Sequence, residues 1–303
     1  MASALTAIVC SYRRPHSLEA CLQSLTEQSL SGLGILVVGV RGDTQTLQTA
    51  SDLGIEVILQ DQPDGVAAAR NLGIDHTETP LVAFLDDDAR ARQGWAVALA
   101  TVLEDPQVGA VGGRVFDTRT GEQVVHPWGV DPFGVTHLLS KADRRKTLVP
   151  TINGCNMALS RPALRSIGGF DPYYTYYYDE TDMCVRLARA GYRIEFTDAA
   201  SVDHDFADGS TRERFVYYSC RMRTYFSTKN YLRRVGKSRL ILEQVRLLRQ
   251  DYQAFRVRHR EYGGIFGTYT AFAELVSGRI TGFLDGANQA IQYGNDARGG
   301  STC

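Results

Sequence analysis

Short apolar runs alternate with helix-like stretches through the first 116 residues, and this alternation constrains the fold more than any other feature. The apolar runs predict buried strands, and the stretches between them have helical periodicity. The predicted strands are 5–10, 34–40, 55–60, 81–88 and 108–116, and the predicted helices are 17–28, 44–54, 65–77 and 94–105. This order predicts an α/β fold with a mostly parallel sheet that carries helices on both faces.

Three consecutive carboxylates follow one of these strands, at Asp86, Asp87 and Asp88. Ligands of open α/β sheets bind beyond the carboxyl ends of the strands, so this position is a candidate site. Adjacent like charges repel each other unless a cation or solvent screens them. Oxygen ligands suit Mg²⁺ or Mn²⁺, so the acids form either a metal site or a solvated turn, where aspartate is also common.

A second acidic cluster, with Asp179, Glu180 and Asp182, opens a predicted helix. Acids are common there because they stabilise the amino terminus of a helix. A carboxylate in this position beside the strand ends can equally serve as a general base. His204 follows the next predicted strand and is either structural or a metal ligand that neighbouring carboxylates orient.

Two arginine-bearing segments lie next to predicted strands. Arg70, on the helix before the acidic strand, is either solvated or binds a pyrophosphate through paired hydrogen bonds. In "SYRRP", after the first strand, Tyr12 can stack on a nucleobase and Arg14 can meet phosphate, or the loop is simply exposed. The stretch 117–151 is expected to be a substrate-facing loop, where Trp128 either stacks on a sugar ring or is a buried anchor.

Taken in chain order, these segments resemble glycosyltransferase family 2, whose members have the GT-A fold and invert the anomeric centre. The resemblance covers residues 5–230 and rests on "SYRR", "AAARNLG", "DDD", "NGCNMALSRPALRSIGGFD", "DETDMCVRL" and His204. It implies a Rossmann-like catalytic domain that moves a sugar from a nucleoside diphosphate-sugar to a hydroxyl acceptor. A UDP-sugar is the favoured donor, Mn²⁺ or Mg²⁺ the implied cofactor, and a glycan, a lipid-linked sugar or a small molecule the implied acceptor.

The resemblance also implies roles for the donor side of the site. "DDD" looks like the family's DXD motif, in which Asp88 binds the cation and Asp86 and Asp87 lie on the nucleotide side. His204 looks like the histidine that completes the metal site. The resemblance places Arg70 at the diphosphate. It also makes the loop after the first strand part of the nucleotide site, with Ser11, Tyr12 and Arg14. After the second strand the family commonly has an acid pair that helps to bind the base, and here the next acid is Asp43.

On the acceptor side, "DETD" looks like the family's E-D-x-D motif. The order of the first two acids is reversed here, so the general base is either Glu180, which we favour, or Asp179. Asp182 looks like the structural acid one turn further along the helix, at the edge of the sugar pocket. The wall between sugar and acceptor is implied to contain Gly154 and Asn156, with Trp128 on the acceptor side.

The rest of the chain is expected to be helical, which divides it into a catalytic domain at 1–210 and a basic extension at 211–303. Between 212 and 260 there are fourteen Lys/Arg and three Asp/Glu, a net charge of 14 − 3 = +11. A basic amphipathic helix can lie on anionic lipid. The alternatives are a helix packed on the catalytic domain or a homodimer interface. Nucleic acid is not expected as a partner because no nucleic-acid motif accompanies the charge.

Composition narrows the partners and the cellular compartment that fit the sequence. The net charge of −1 gives the whole chain no general attraction to polyanions. Six scattered cysteines without a C-x-x-C pair indicate a reducing compartment. We expect a cytoplasmic protein, because neither a signal-peptide pattern nor a long apolar run is present. Peripheral association with the inner membrane face is the alternative that the basic extension leaves open.

Three rival functions follow from the same residues. A nucleotidyltransferase would need a glycine-rich, lysine-bearing loop after the first strand, and "SYRRPHS" has no glycine. A catalytically inactive nucleotide-sugar binding protein is disfavoured by the presence of both acidic clusters and His204. A retaining transferase would differ in the anomeric configuration of its product.

Overall fold

The computed structural model describes residues 5–139, 148–206, 215–259 and 265–299. Its first elements are β1 (Leu5–Cys10), α1 (Pro15–Thr26), β2 (Gly34–Val40), α2 (Thr44–Asp52), β3 (Glu56–Gln60), α3 (Val66–Asp75), β4 (Leu81–Leu85), β5 (Ala89–Ala91), α4 (Trp95–Val102) and β6 (Val108–Asp117). Then follow β7 (Gln123–Val125), β8 (Trp128–Val130), β9 (Thr136–Leu138), β10 (Val149–Thr151), β11 (Asn156–Ser160), α5 (Arg161–Ser166), α6 (Asp179–Arg189), β12 (Arg193–His204), α7 (Phe215–Val235), α8 (Lys237–His259) and α9 (Ile265–Gly299).

Nine strands of the described chain form one sheet in the order β3-β2-β1-β4-β11-β6-β12-β5, with β7 beside β6. The strands β3, β2, β1 and β4 are mutually parallel, and β12 runs parallel to β6. Only β11 separates these two groups, and it is antiparallel to both of its neighbours. The predicted α/β class, a largely parallel sheet flanked by helices, is confirmed.

Two parts of the predicted element order need correction. The stretch 117–151, expected to be a loop, contains β7 to β10, of which β8, β9 and β10 form a small sheet. The strand β11 lies in the segment "NGCNMALS", where no strand was predicted, and the predicted strand 81–88 ends at Leu85, before the three acids. These strands have three to five residues, too few for periodicity to identify them. Residues 140–147, 211–214, 260–264 and 300–303 of the predicted loop and extension lie outside the described residues.

Contacts divide the chain into two compact units. The sheet unit consists of Met1–Gly129, Leu138–Thr175 and Asp179–Ala207. The helical unit consists of Val130–His137, Tyr176–Tyr178 and Asp208–Cys303. The domain boundary predicted at residue 210 stays a prediction, because the division into contact units does not test how the chain divides into folding domains.

Apolar side chains from both sides of the sheet build the core of the sheet unit. One face of α1 is buried against the sheet, and it consists of Leu18, Cys21, Leu22 and Leu25. Trp95, at the start of α4, is also completely buried. This packing fixes the strands, and therefore fixes the positions of the loops that leave their carboxyl ends.

In the helical unit, α9 packs against α7 through three glycines spaced four residues apart: Gly278, Gly282 and Gly286. A β-carbon on any of them would overlap a backbone carbonyl oxygen of α7. The two backbones can approach closely because glycine has no side chain at the contact. No helix in the described ranges is both long enough and apolar enough to cross a bilayer.

Candidate functional site

The loop after β1 and the acidic turn after β4 are bonded to each other. The strands β1 and β4 are parallel neighbours, so the segments that follow them leave the sheet side by side. Ser11 Oγ donates a hydrogen bond to Asp87 Oδ2 at 2.7 Å. Arg14 Nη1 donates to Asp87 Oδ1 at 3.1 Å and also pairs with Asp88. The two sequence segments that were predicted to meet a nucleotide therefore form one structure.

The three acids of the turn have different environments. The side chain of Asp86 is 42% exposed, whereas those of Asp87 and Asp88 are 8% and 11% exposed. Burial raises the pKa of Asp87 to about 6, although Ser11 and Arg14 oppose the shift. Burial also opposes ionisation of Asp86, but His204 and Arg70 outweigh it and hold the pKa of Asp86 below its ordinary value. Asp86 is thus an ionised carboxylate with access to solvent.

His204 ends β12 and meets the acidic turn. Strand β12 pairs with β5 so that His204 lies opposite Ala89, the residue directly after the acids. Its Nε2 lies 3.2 Å from Asp88 Oδ1 and 3.6 Å from Asp86 Oδ2. The imidazole is buried and stacks on the ring of Phe206, with 3.9 Å between ring centroids. Burial opposes protonation, but the two carboxylates raise the pKa of His204.

Cys155 joins this group, although no role at a site was predicted for it from the sequence. A carboxylate oxygen of Asp86, the thiol of Cys155 and a ring nitrogen of His204 lie within 4.8 Å of one another. The signal that could have found Cys155 is its position inside "NGCN", between two residues assigned to the sugar pocket. Carboxylate oxygens with an imidazole nitrogen fit a divalent cation such as Mn²⁺, and a sulfur ligand is softer than Mg²⁺ prefers.

Arg70 connects the two acidic clusters. It is 4% exposed and lies against the edge-to-face pair formed by Phe84 and Phe170, whose ring centroids are 5.5 and 5.7 Å from its guanidinium carbon. It pairs with Asp179, and its Nη2 lies 3.6 Å from Asp86 Oδ1. Burial opposes its charge, but Asp179 and Asp86 raise the pKa of Arg70 above its ordinary value. The guanidinium is therefore a fixed, permanent cation.

Gly154 makes the position of Arg70 possible. Arg70 Nη2 donates to the carbonyl oxygen of Gly154 at 3.1 Å. A β-carbon at Gly154 would collide with the guanidinium, so a residue with a side chain cannot occupy this position without displacing it. Gly154, predicted to belong to a sugar pocket, directly orients a buried cation of the site.

Asp179 and Glu180 occupy the first turn of α6 and differ sharply. Asp179 is 2% exposed and paired with Arg70. Glu180 is half-buried, and its pKa is raised well above its ordinary value by burial and by the charge of Asp179. One carboxyl of the pair is neutralised by an arginine, and the other keeps a high proton affinity.

Asp43 and Tyr12 border the loop after β1. Asp43 Oδ2 accepts the backbone N–H of Arg13 at 2.5 Å, and Asp43 also caps α2. Burial opposes ionisation of Asp43, but the N–H groups of Arg13 and Thr46 lower its pKa. Arg13 has a left-handed backbone (φ 58°), a conformation that costs energy for a residue with a side chain. The ring of Tyr12 is 38% exposed.

Three predicted residues have contacts directed elsewhere. Asn156 is fully buried: its Oδ1 accepts from Trp95 Nε1 at 2.8 Å, and its amide donates to two backbone carbonyls. Asp182 is also fully buried and binds Arg186 Nε at 2.7 Å. Trp128 is half-buried against the core. The side chain of Asn156 hydrogen-bonds to Trp95 and to backbone carbonyls of β6 and β12, and its expected contact with a sugar hydroxyl stays a prediction.

Comparisons with known proteins agree with this geometry. A family model described as "Glycosyltransferase like family 2" matches residues 2–227. The pre-mycofactocin glycosyltransferase of Mycobacterium tuberculosis is 31% identical over 186 residues, which are 58% of this chain but 38% of that protein. The chain thus spans well under half of this relative.

Two further relatives are covered more fully. The O-antigen chain rhamnosyltransferase RfbN of Salmonella typhimurium is 25% identical over 71% of this chain and 70% of its own length. The glucosyl-dolichyl phosphate glucuronosyltransferase of Haloferax volcanii is 24% identical over 66% of this chain and 68% of its own length.

Among solved structures, the mannosyltransferase PcManGT of Pyrobaculum calidifontis, in complex with GDP-Man and Mn²⁺, is similar with a TM-score of 0.59 and 16% identity. The likeness covers 96% of this chain and 88% of PcManGT. GalNAc-T7 with UDP, GalNAc and Mn²⁺ is similar with a TM-score of 0.60 and 14% identity over 75% of this chain and 50% of its own. These likenesses show that the chain has the GT-A fold.

Proposed function

This chain belongs to glycosyltransferase family 2, and we propose that it transfers a sugar from a nucleoside diphosphate-sugar to a hydroxyl acceptor, with inversion at the anomeric carbon. One observation carries the proposal: an unbroken series of contacts within the sheet unit. It runs from Ser11 through Asp87, Arg14 and Asp88 to His204, and from His204 through Asp86 and Arg70 to Asp179. The series joins two arginines, a histidine and carboxylates of both acidic clusters.

Asp86, Asp88 and His204 would hold a Mn²⁺ or Mg²⁺ ion. Their oxygen and nitrogen atoms converge, and the structures of PcManGT and GalNAc-T7 contain Mn²⁺. When bound, such an ion supplies positive charge to the leaving diphosphate. Cys155 Sγ, at the same position, favours the softer Mn²⁺ over Mg²⁺.

The arginines and the loop after β1 would hold the donor. Arg70 faces the diphosphate, and its contacts with Asp179, the Gly154 carbonyl and two adjacent aromatic rings keep the guanidinium in place as the negative charge develops. Arg14 has a half-exposed guanidinium that can reach phosphate while Asp87 and Ser11 fix its loop. Tyr12 offers an exposed ring for stacking on the base, and Asp43, the first acid after β2, accepts a hydrogen bond from the backbone of this loop. A UDP-sugar is the favoured donor.

Glu180 would act as the general base. It removes the proton from the acceptor hydroxyl while the hydroxyl oxygen attacks the anomeric carbon from the face opposite the diphosphate. A base needs a pKa near the working pH, and burial with the charge of Asp179 moves the pKa of Glu180 upwards. Asp179 is less suited to this role because its charge is compensated by Arg70.

The acceptor side is defined more coarsely. Glycans, lipid-linked sugars and small molecules all present a hydroxyl, and the relatives include proteins named for O-antigen and dolichyl phosphate substrates. Half-buried Trp128 and Gly154 are the residues that we assign to this side. Asp182 supports it by pairing within α6 with Arg186, which in turn donates a hydrogen bond to the carbonyl oxygen of Ile167 outside the helix.

A thermal-shift screen of UDP-, GDP- and dTDP-sugars, each with and without Mn²⁺, tests the proposal. Binding to the folded chain stabilises it by about 2.7 kcal/mol when the ligand is at a hundred times its Kd. We expect a UDP-sugar with Mn²⁺ to raise Tm more than either does alone. If no sugar nucleotide raises Tm, the proposal is wrong.

Two readouts separate the rivals. Slow hydrolysis of the bound donor in the presence of Mn²⁺ distinguishes a transferase from an inactive binding protein. The anomeric configuration of the product, read by NMR, distinguishes inversion from retention. Membership of the glycosyltransferase family favours a glycosyltransferase of either stereochemistry, or an inactive binding protein, over a nucleotidyltransferase.

A further inference from the structure

The outward side of α8 combines exposed aliphatic and basic residues. Leu242 is 69% exposed and Val245 is 45% exposed, and Ile241 at the edge of this side is 42% exposed. On a helix, residues at i, i+3, i+4 and i+7 share one side. Counting from Leu242, these positions bring exposed arginines onto the same side. We define the outer face of α8 as Arg239, Leu242, Val245, Arg246 and Arg249.

The opposite side of α8 explains why the outer face is free. Leu240, Gln244 and Leu247 point into the helical unit and are buried. Gln244 Oε1 accepts from Thr224, and its Nε2 donates to Ser227 at 3.1 Å. The helix therefore has a fixed rotation, and its apolar outer residues are not placed there by packing.

The charge around the outer face is predominantly positive. Exposed cations precede it at the end of α7 and the start of α8, where they are Arg233, Arg234 and Lys237. The acids of α8 are both engaged, because Asp251 pairs with two arginines on the inner side and Glu243 pairs with Arg246 at 3.4 Å. Exposed aliphatic side chains thus lie within a field of positive charge.

We propose that the outer face of α8 docks on an anionic lipid surface. Leu242, Val245 and Ile241 would enter the headgroup region, while the surrounding arginines and lysine meet lipid phosphates. A helix of this kind lies in the plane of the interface and combines apolar burial with attraction to anionic lipid. The proposal concerns the helical unit alone and does not depend on the catalytic proposal.

Two other occupants fit the observations less well. In a two-fold symmetric dimer the same patch faces itself, so six cations on one chain would oppose six on the other, and like charges repel. A nucleic acid would satisfy the cations, but its phosphates would gain nothing from Leu242, Val245 and Ile241. Anionic lipid uses both kinds of side chain.

Vesicle flotation with the full chain tests the proposal. The probes are vesicles of phosphatidylcholine with phosphatidylglycerol, and vesicles of phosphatidylcholine alone, each in dilute and in concentrated salt. We expect the chain to float with the anionic vesicles in dilute salt, and binding to weaken in concentrated salt because salt screens the charges. A chain that stays with the soluble fraction under all conditions overturns the proposal.

Four variants locate the contact. Arg246→Gln and Arg249→Gln should each weaken partition about fivefold, because a basic residue near an anionic surface contributes about 1 kcal/mol. Leu242→Asp should weaken it about tenfold or more. Leu284→Asp is the matched control, since Leu284 is a 58% exposed aliphatic residue of α9 whose neighbour in the chain is the acidic Asp285. It should leave partition unchanged.

Each remaining outcome is decisive. Leu242→Asp and Leu242→Gln both change a surface residue. If both variants have the same Tm as the unchanged chain, a loss of partition does not reflect unfolding. Equal losses in Leu242→Asp and Leu284→Asp, or no loss in any variant, overturn the proposal. Two further results overturn it. The first is sedimentation that shows a dimer, which Leu242→Asp breaks, together with no binding to vesicles. The second is binding to duplex DNA that is as tight as binding to vesicles and is unaffected by Leu242→Asp.

Discussion

Two neighbouring carboxyls at the start of α6 have opposite environments, and this difference is the basis of the proposal that Glu180 acts as the base. Asp179 is buried and held by Arg70, whereas Glu180 is half-buried next to the charge of Asp179. The sequence alone favoured Glu180 but left both acids as candidates, because the partner of Asp179 lies 109 residues away in the chain.

Glu180→Gln should lower kcat by about 10²–10⁴-fold, the usual contribution of a general base. The amide keeps the shape of the side chain but cannot take the proton, so KM for the donor should stay near its original value. Release of the nucleoside diphosphate measures both parameters. Activity within threefold of the unchanged chain would contradict the assignment of Glu180.

Asp179→Asn should move the acidic limb of the pH–activity profile to lower pH. Glu180 works only when deprotonated, so activity falls as pH falls through its raised pKa. Removing the neighbouring charge lowers the pKa of Glu180, so the ionised base persists to lower pH. The kcat profile measures this shift, with Asp64→Asn, an exposed change, as the control. A limb that does not move would show that Glu180 is not the group that titrates.

The sequence predicted which residue types form the site but not how they are joined. Asp86, Asp88, His204 and Arg70 were each singled out separately, and only the fold brings them into contact. Cys155 was missed because a cysteine in an apolar run looks like core. The hydrogen bond between Asn156 and the indole of Trp95 could not be predicted, because the two residues lie 61 positions apart in the chain.

At the scale of elements, long periodic segments were predicted well and short strands were not. Strand β2 has the predicted bounds, and α1 begins two residues earlier than predicted because Pro15 suits the first helical turn. Strand β11 was missed, although it lies between β4 and β6. Both of its faces are covered, so it lacks the alternation that identifies a half-buried strand.

The contact between α7 and α9 depends on glycine. A β-carbon on residue 282 would overlap the carbonyl oxygen of Arg221 and lie 3.0 Å from the backbone nitrogen of Tyr225. Gly282→Ala should therefore force the helices apart and lower the free energy of unfolding by about 1–3 kcal/mol. The gain of about 1 kcal/mol in helix propensity does not offset this.

Thermal denaturation measures the effect, and Ser277→Ala on the exposed side of α9 is the control. That control should leave Tm nearly unchanged. An unchanged Tm in Gly282→Ala would mean that the helices pack less closely than the structure indicates.

At the scale of the whole molecule, the residues that build the proposed site all belong to the sheet unit, and the family match ends at residue 227, within α7. The sheet unit carries the features that place the chain in its family. The proposed lipid contact lies on α8, beyond the matched residues. Catalysis and membrane contact are thus proposals about different parts of the chain, and each can fail without the other.

The central claim is that the acids at 86–88, the pair at 179–180 and His204 surround one cation and one diphosphate. A crystal structure with UDP and Mn²⁺, with data collected at the manganese edge, tests it directly. We expect one anomalous peak in contact with Asp88 and His204, with the diphosphate beside Arg70, and no such peak in His204→Ala. A manganese peak elsewhere, or UDP bound away from these residues, would contradict the account.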